Sequence, residues 1–273
     1  MSPADTGVVS RLNNFYWQHE PEITTNQTSS RRIRPGTLLA FRIASIFISL
    51  GTLLAGLINS PATYFAYISN WAVAATMLTF VTLTISHVCQ VTRRFSISTT
   101  DFEELAKIER YEMRMFKAAS VLFEVTLTSE IVICVIFWTM VFPDSNKTAG
   151  VFEIIDLALV YCGMITLLFI EYVAHRMKFH TRHYAVVIQV IVLYMIINLT
   201  LASFGLDVYS WVHNWATWYR CLFISAAILL SFLAFFVLKY LEDVKERRVF
   251  KKDEKMINLM VGVPSLGNYT QLQ

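Results

Sequence analysis

Several ionisable residues lie inside otherwise apolar runs of this chain, where burying a charge is expensive and an acid or base becomes a candidate for chemistry. Glu124 and Glu130 share one run, and Glu153, Asp156 and Glu171 share the next. Arg42 enters early in the first run and Arg220 early in the last. At about 1.5 Å per helical residue, Arg42 and Glu171 fall near one membrane face, and Glu130, Asp156 and Arg220 in the opposite half. The expected pairs are Arg42 with Glu171, and Arg220 with Asp156 or Glu130. Such ion pairs would fix helix packing. The other reading of the same acids is a proton path or a substrate site.

A hydroxyl-rich face adds Ser69, Asn70, Thr76, Thr79, Thr82, Thr84 and Ser86, and ends in His87. Ser69 and His87 project the same way but stand about 27 Å apart along a helix, which excludes a direct Ser–His dyad. Small hydroxyl residues also let helices pack closely. His175, His180 and His183 have a spacing that could bind a metal. Among Arg176, Lys178 and Arg182, however, they read as an exposed basic loop. No metal centre and no cofactor is expected, apart from bound phospholipid. Cys89, Cys134, Cys162 and Cys221 lack metal-ligand spacing and read as small packing residues.

The elements that must position these groups are membrane helices. Hydrophobic residues make up 55% and charged residues 16%, with a mean hydropathy of +0.50; soluble domains carry roughly 25% charge. A helical crossing needs about 20 mainly apolar residues. Such runs fall at 37–58, 64–89, 116–142, 151–174, 184–204 and 217–240. The fold class is therefore all-α: a polytopic protein with six transmembrane helices. One membrane domain, 37–242, lies between a polar basic tail, 1–36, and a basic C-terminal tail, 243–273. Thr100 and Glu103 form a capping box, and the spacing predicts an inner surface helix over about 99–117 before the third span. No internal repeat is visible, which disfavours a transporter built from inverted halves.

Positive charge sets the orientation. Arg and Lys crowd residues 1–36, the connections after spans two and four, and the C-terminal tail, whereas the opposite connections carry only Lys147. Both termini are thus expected on the cytoplasmic or matrix side. No cleavable signal is expected in the polar segment 1–36, and Asp5, Glu20 and Glu22 do not suit a mitochondrial presequence. Asn146-Lys147-Thr148 is a glycosylation sequon on the outer side. Trp211, Trp215 and Trp218 suit an interfacial anchor. The net charge of +3 is accounted for by orientation and gives no reason to expect nucleic-acid binding.

Tyr64-Phe65-Ala66-Tyr67-Ile68-Ser69-Asn70-Trp71 resembles the Tyr-Leu-Thr-Asn-Trp segment of the rolling-stone and androgen-induced-protein family. The span from Phe152 through Asp156 and Tyr161 to Glu171 resembles that family's corresponding span. The resemblance implies six helices with inward termini. It also implies kinship with hydrolases of fatty-acid esters that use a Thr nucleophile and a His base. Carried over, the nucleophile position falls on Ser69 and the histidine position on Tyr161. A phenol with a pKa near 10 is a poor base at neutral pH. His213, on the outer side, and Asp156 are the remaining candidates to assist. There is no G-x-S-x-G elbow.

The leading expectation is a non-catalytic accessory or scaffold subunit of a larger membrane complex. Its tails would bind partner subunits and its helices lipid, with the mitochondrial inner membrane first choice and endoplasmic reticulum or plasma membrane as alternatives. Lys245, Arg247, Arg248, Lys251 and Lys252 would meet anionic headgroups. The alternatives are an intramembrane lipid-ester hydrolase with Ser69 as nucleophile, and a small-solute or proton carrier.

Overall fold

The computed structural model describes residues 33–59, 61, 64–96, 102–142, 151–175, 177–204 and 217–261, and no strand occurs among them. The helices are α1 (Pro35–Asn59), α2 (Ile68–Ser96), α3 (Phe102–Ile136), α4 (Val151–Ala158), α5 (Met164–Ala174), α6 (Tyr184–Ser203) and α7 (Thr217–Val261). Two π turns, Phe137–Val141 and Leu159–Gly163, continue α3 and join α4 to α5. Short 3₁₀ turns at Tyr64–Ala66 and Thr181–His183 lead into α2 and α6.

Five stretches are long and apolar enough to cross a membrane: Pro35–Asn59, Ile68–Thr92, Arg110–Met140, Thr181–Leu201 and Cys221–Arg247. A sixth, from α4 through the π turn to α5, is apolar and helical throughout. Large apolar side chains such as Phe47, Ile58, Leu199 and Leu229 stand exposed around the bundle. A surface of that kind needs a hydrocarbon solvent, not water. The chain is an integral, multi-pass membrane protein.

One expected boundary changes. Residues 102–117 do not form a separate surface helix: α3 runs unbroken for 35 residues, because no Gly or Pro interrupts Phe102–Ile136. Glu112 and Phe116 are buried within this stretch. Thr100, the proposed cap, lies outside the described residues. At the other end, α7 runs from Thr217 to Val261 and so extends past residue 242 into the basic C-terminal segment, its second half rich in helix-favouring Glu, Lys and Arg.

α2 and α3 form the most extensive helix pair, with α1 packed on α2. The α1–α2 hairpin needs a glycine. Tyr64, buried beneath the turn, lies so close to Gly56 that a β-carbon there would overlap its ring. The main apolar core joins Leu83, Phe116, Phe123, Tyr172, Phe179 and Phe235. It sits toward the end of the bundle where α1 and α3 begin and α5 ends. This is called the basic end below, and the other the Tyr64 end.

Candidate functional site

Polar side chains gather in two places. At the Tyr64 end, Ser69 is buried and lies near the Tyr161 hydroxyl. The π turn carries Tyr161 into the bundle, where its ring stacks on Phe137 with centroids 3.5 Å apart and planes 7° from parallel. Both π turns therefore meet at one ring stack, an arrangement frequent near functional sites. Glu130 is close enough to act electrostatically on Tyr161 and accepts a 3.0 Å hydrogen bond from Thr76. Every described histidine lies at the basic end, so none supplies a base here. The side chains of Asp156, Arg220 and His213 lie outside the described residues.

At the basic end, Arg42 is fully buried and its fork closes on Glu171, with Nε 3.1 and 3.3 Å from the two carboxylate oxygens. Its Nη1 donates to the Leu83 carbonyl and meets His87 Nδ1 at 3.1 Å. A guanidinium can only donate, so this His87 nitrogen carries the lone pair and the ring's proton is on Nε2. A polar residue from each of α1, α2 and α5 is therefore tied into one charge-assisted group.

The connection from α5 to α6 departs most from expectation. It is a buried loop, not an exposed basic one: His175 and His183 are 0% exposed, His180 7%, and Met177 and Phe179 are buried too. A buried loop must find partners for its backbone. His175 N–H donates to the Glu171 carbonyl, ending α5, and Met177 N–H donates to His175 Nδ1 at 2.9 Å. Lys245, reaching over from α7, donates to the carbonyls of Tyr172 and His175 at 2.9 and 2.7 Å. Lys245 is thus a clasp within the bundle. Arg247 is exposed; the side chains of Arg248, Lys251 and Lys252 lie outside the described residues.

The remaining loop donors converge on Glu124 of α3. Its Oε1 lies 3.1 Å from His180 Nδ1 and 2.9 Å from His183 Nδ1, and its Oε2 accepts the His180 backbone N–H at 3.0 Å. Ser120, one turn earlier, donates its hydroxyl to Oε1 at 3.3 Å. The carboxylate is 1% exposed and, when ionised, only accepts, so both Nδ1 atoms carry protons. Glu130 belongs to a different face. Six residues turn a helix by about 240°, so Glu130 and Thr126 look at α2 while Glu124 looks at the loop. Thr126 and Thr79 accordingly meet at 3.1 Å across the α2–α3 seam.

His175 stands apart chemically. Burial, then the positive charges of Lys245 and Arg42, hold its pKa well below the ordinary histidine value. It packs edge-on against Phe123 and is neutral. Sequence reasoning placed Arg42 with Glu171, but it did not join Glu124 to His180 and His183, which are 56 and 59 residues away in the chain. The missed signal was the apolar setting of the loop, since Met177 and Phe179 alternate with its cations. Among protein-family models, curated proteins and solved structures no match to this chain is found.

Proposed function

We propose that the protein is an intramembrane hydrolase of lipid esters, with its reacting centre at Glu124, His180 and His183 rather than at Ser69. The observation that carries this reading is the convergence of two imidazoles on one buried carboxylate at the basic end of an apolar bundle. Intramembrane ionisable groups are rare and concentrate at sites of chemistry. A carboxylate that holds the Nδ1–H of an imidazole fixes the tautomer in which Nε2 is the base. In the proposed step that nitrogen takes a proton from water as the water oxygen adds to the ester carbonyl carbon. The carbon–alkoxide bond then breaks, and the imidazolium returns the proton to the departing oxygen.

The ester class comes from the family resemblance and from the setting, because a centre within the bilayer meets acyl chains before it meets soluble metabolites. Ser69 is the weaker nucleophile candidate, since its neighbour is a phenol. A proton carrier is disfavoured by the divergence of Glu124 and Glu130 to opposite neighbours. The accessory-subunit reading draws on residues 1–36 and 243–273, much of which lies outside the described residues. It gives no role to a buried His–Glu cluster. With the orientation read from positive charge, the centre faces the cytoplasmic or matrix leaflet.

The test is ester cleavage by the purified protein in mild detergent, with fatty-acid esters of glycerol and of hydroxy fatty acids. Glu124→Gln is expected to lower the rate by about 10²-fold or more, the usual scale for losing acid–base catalysis. Ser69→Ala is expected to leave it unchanged. Loss of activity in Ser69→Ala alone would move the centre to the Tyr64 end, and an inert wild-type protein would remove the hydrolase reading.

A further inference from the structure

Glu124, His180 and His183 each offer one ligand atom, these atoms lie within 4.8 Å of one another, and all three residues are buried. We propose that they form a binding site for a divalent first-row transition metal, with zinc the expected ion. This deepens the hydrolase reading by naming the cofactor of the same centre: with the ion on the Nδ1 atoms, water held by the ion would replace Nε2 as the means of activation, and the catalytic part of the inference rests on that reading.

The donor set decides the class of ion. Two imidazole nitrogens and one carboxylate oxygen suit zinc and its neighbours, whereas calcium and magnesium require oxygen ligands throughout. The spacing fits as well. Metal–ligand bonds of roughly 2.0–2.1 Å in a tetrahedron place donor atoms about 3.4 Å apart. The two Nδ1 atoms stand 3.1 and 2.9 Å from Glu124 Oε1, so each of these two pairs must open by only a few tenths of an ångström, and the donor atoms as a group lie within 4.8 Å of one another. Each ring must also move its proton from Nδ1 to Nε2, a tautomer change that leaves it neutral.

The surroundings hold the donors in place. The His180 backbone N–H fixes Oε2, and the Ser120 hydroxyl supports Oε1. The 3₁₀ turn Thr181–His183 sets the two rings side by side, with centroids 4.8 Å apart. Support of this kind orients metal ligands and tunes the ion. The nearby Arg42–Glu171–His87 group offers no rival site, because the guanidinium already occupies its carboxylate.

Three protein ligands leave a fourth position for water, the pattern of a catalytic rather than a structural zinc. Charge favours the same outcome. A dication with one carboxylate keeps a net positive charge in an apolar interior, and losing a proton from the bound water neutralises it. That proton leaves to solvent. The hydroxide oxygen adds to the ester carbonyl carbon, the carbon–alkoxide bond breaks, and the alkoxide takes the remaining proton of the added oxygen. The products are a carboxylate and an alcohol.

The experiment is to load the full-length, detergent-purified protein with zinc or cobalt, remove excess ion, and measure metal per chain by mass spectrometry. Wild type is expected to retain about one ion, with the intense visible absorption of tetrahedral cobalt, and His183→Gln and Glu124→Gln to lose it. A wild-type protein that retains neither ion, or variants that retain it as well as wild type, would overturn the inference. Should the variants aggregate, the wild-type cobalt spectrum decides: a weak octahedral spectrum places the ion elsewhere. The two readings fail separately. Bound metal without ester cleavage removes the hydrolase and leaves the site. Cleavage that survives complete metal removal removes the ion from the catalysis and leaves the hydrolase.

Discussion

Arg42 and Glu171 show how much of a buried charge depends on its partner. Both side chains are 0% exposed, and each is stable as an ion only because the other is there. Arg42→Met should therefore destabilise the protein by about 3–5 kcal/mol, since it strands a carboxylate, whereas Arg42→Met with Glu171→Met should recover most of that loss. Thermal unfolding in detergent, followed by the monodisperse fraction, measures both. His175 makes a second prediction. Its folded pKa lies well below that of the unfolded chain, so the unfolded state takes up the proton first on acidification. Stability is accordingly full above the ordinary histidine pKa, about 6.5, and falls as pH drops below it, by at most about 1.4 kcal/mol per pH unit. His175→Phe should flatten this acid limb, as read from unfolding midpoints across pH 5 to 8. The Arg42–Glu171 pair was legible in the sequence because depth along a helix is arithmetic. The histidines were not, because depth says nothing about whether a polar-looking loop folds inward.

Among the elements, hydropathy marked the spans well and their ends poorly. The apolar runs fall on helical stretches, five of them long and apolar enough to cross a membrane, since the bilayer imposes length. The break expected near 117 is absent for a physical reason: a change from apolar to charged residues marks the membrane boundary, and a helix with good formers on both sides continues through it. The π turns were also invisible, since no residue signal marks them. Tyr161→Phe is expected to keep the ring stack and the fold while removing the hydroxyl near Ser69. Its unfolding midpoint should stay within about 1 kcal/mol of wild type. The hairpin of α1 and α2 is stricter. Gly56→Val must displace the buried Tyr64 ring and should cost about 1–3 kcal/mol, visible as a lowered unfolding midpoint.

At the scale of the molecule, the protein is polar along inner seams and apolar around its rim, the reverse of a protein folded in water. α7 closes this arrangement. Its 45 residues measure about 67 Å, well beyond the roughly 30 Å hydrocarbon core, so its last turns project from the basic end. Where it leaves the bundle, Lys245 holds the carbonyls of Tyr172 and His175, and Lys178 of the loop pairs with Glu246 at 2.9 Å. The exposed Lys178–Glu246 pair contributes little on its own. Lys245→Met, by contrast, leaves buried carbonyls unmet and should cost about 1–3 kcal/mol, with loss of ester cleavage as the loop loosens. The clasp also has a consequence for biogenesis. Synthesis runs from the N-terminus, so Glu124 and the histidines have already left the ribosome before Lys245 has been added. The loop therefore stays unsecured until the last helix is inserted. Nascent chains ending before residue 245 should show the 175–183 segment open to protease, and full-length chains should show it protected.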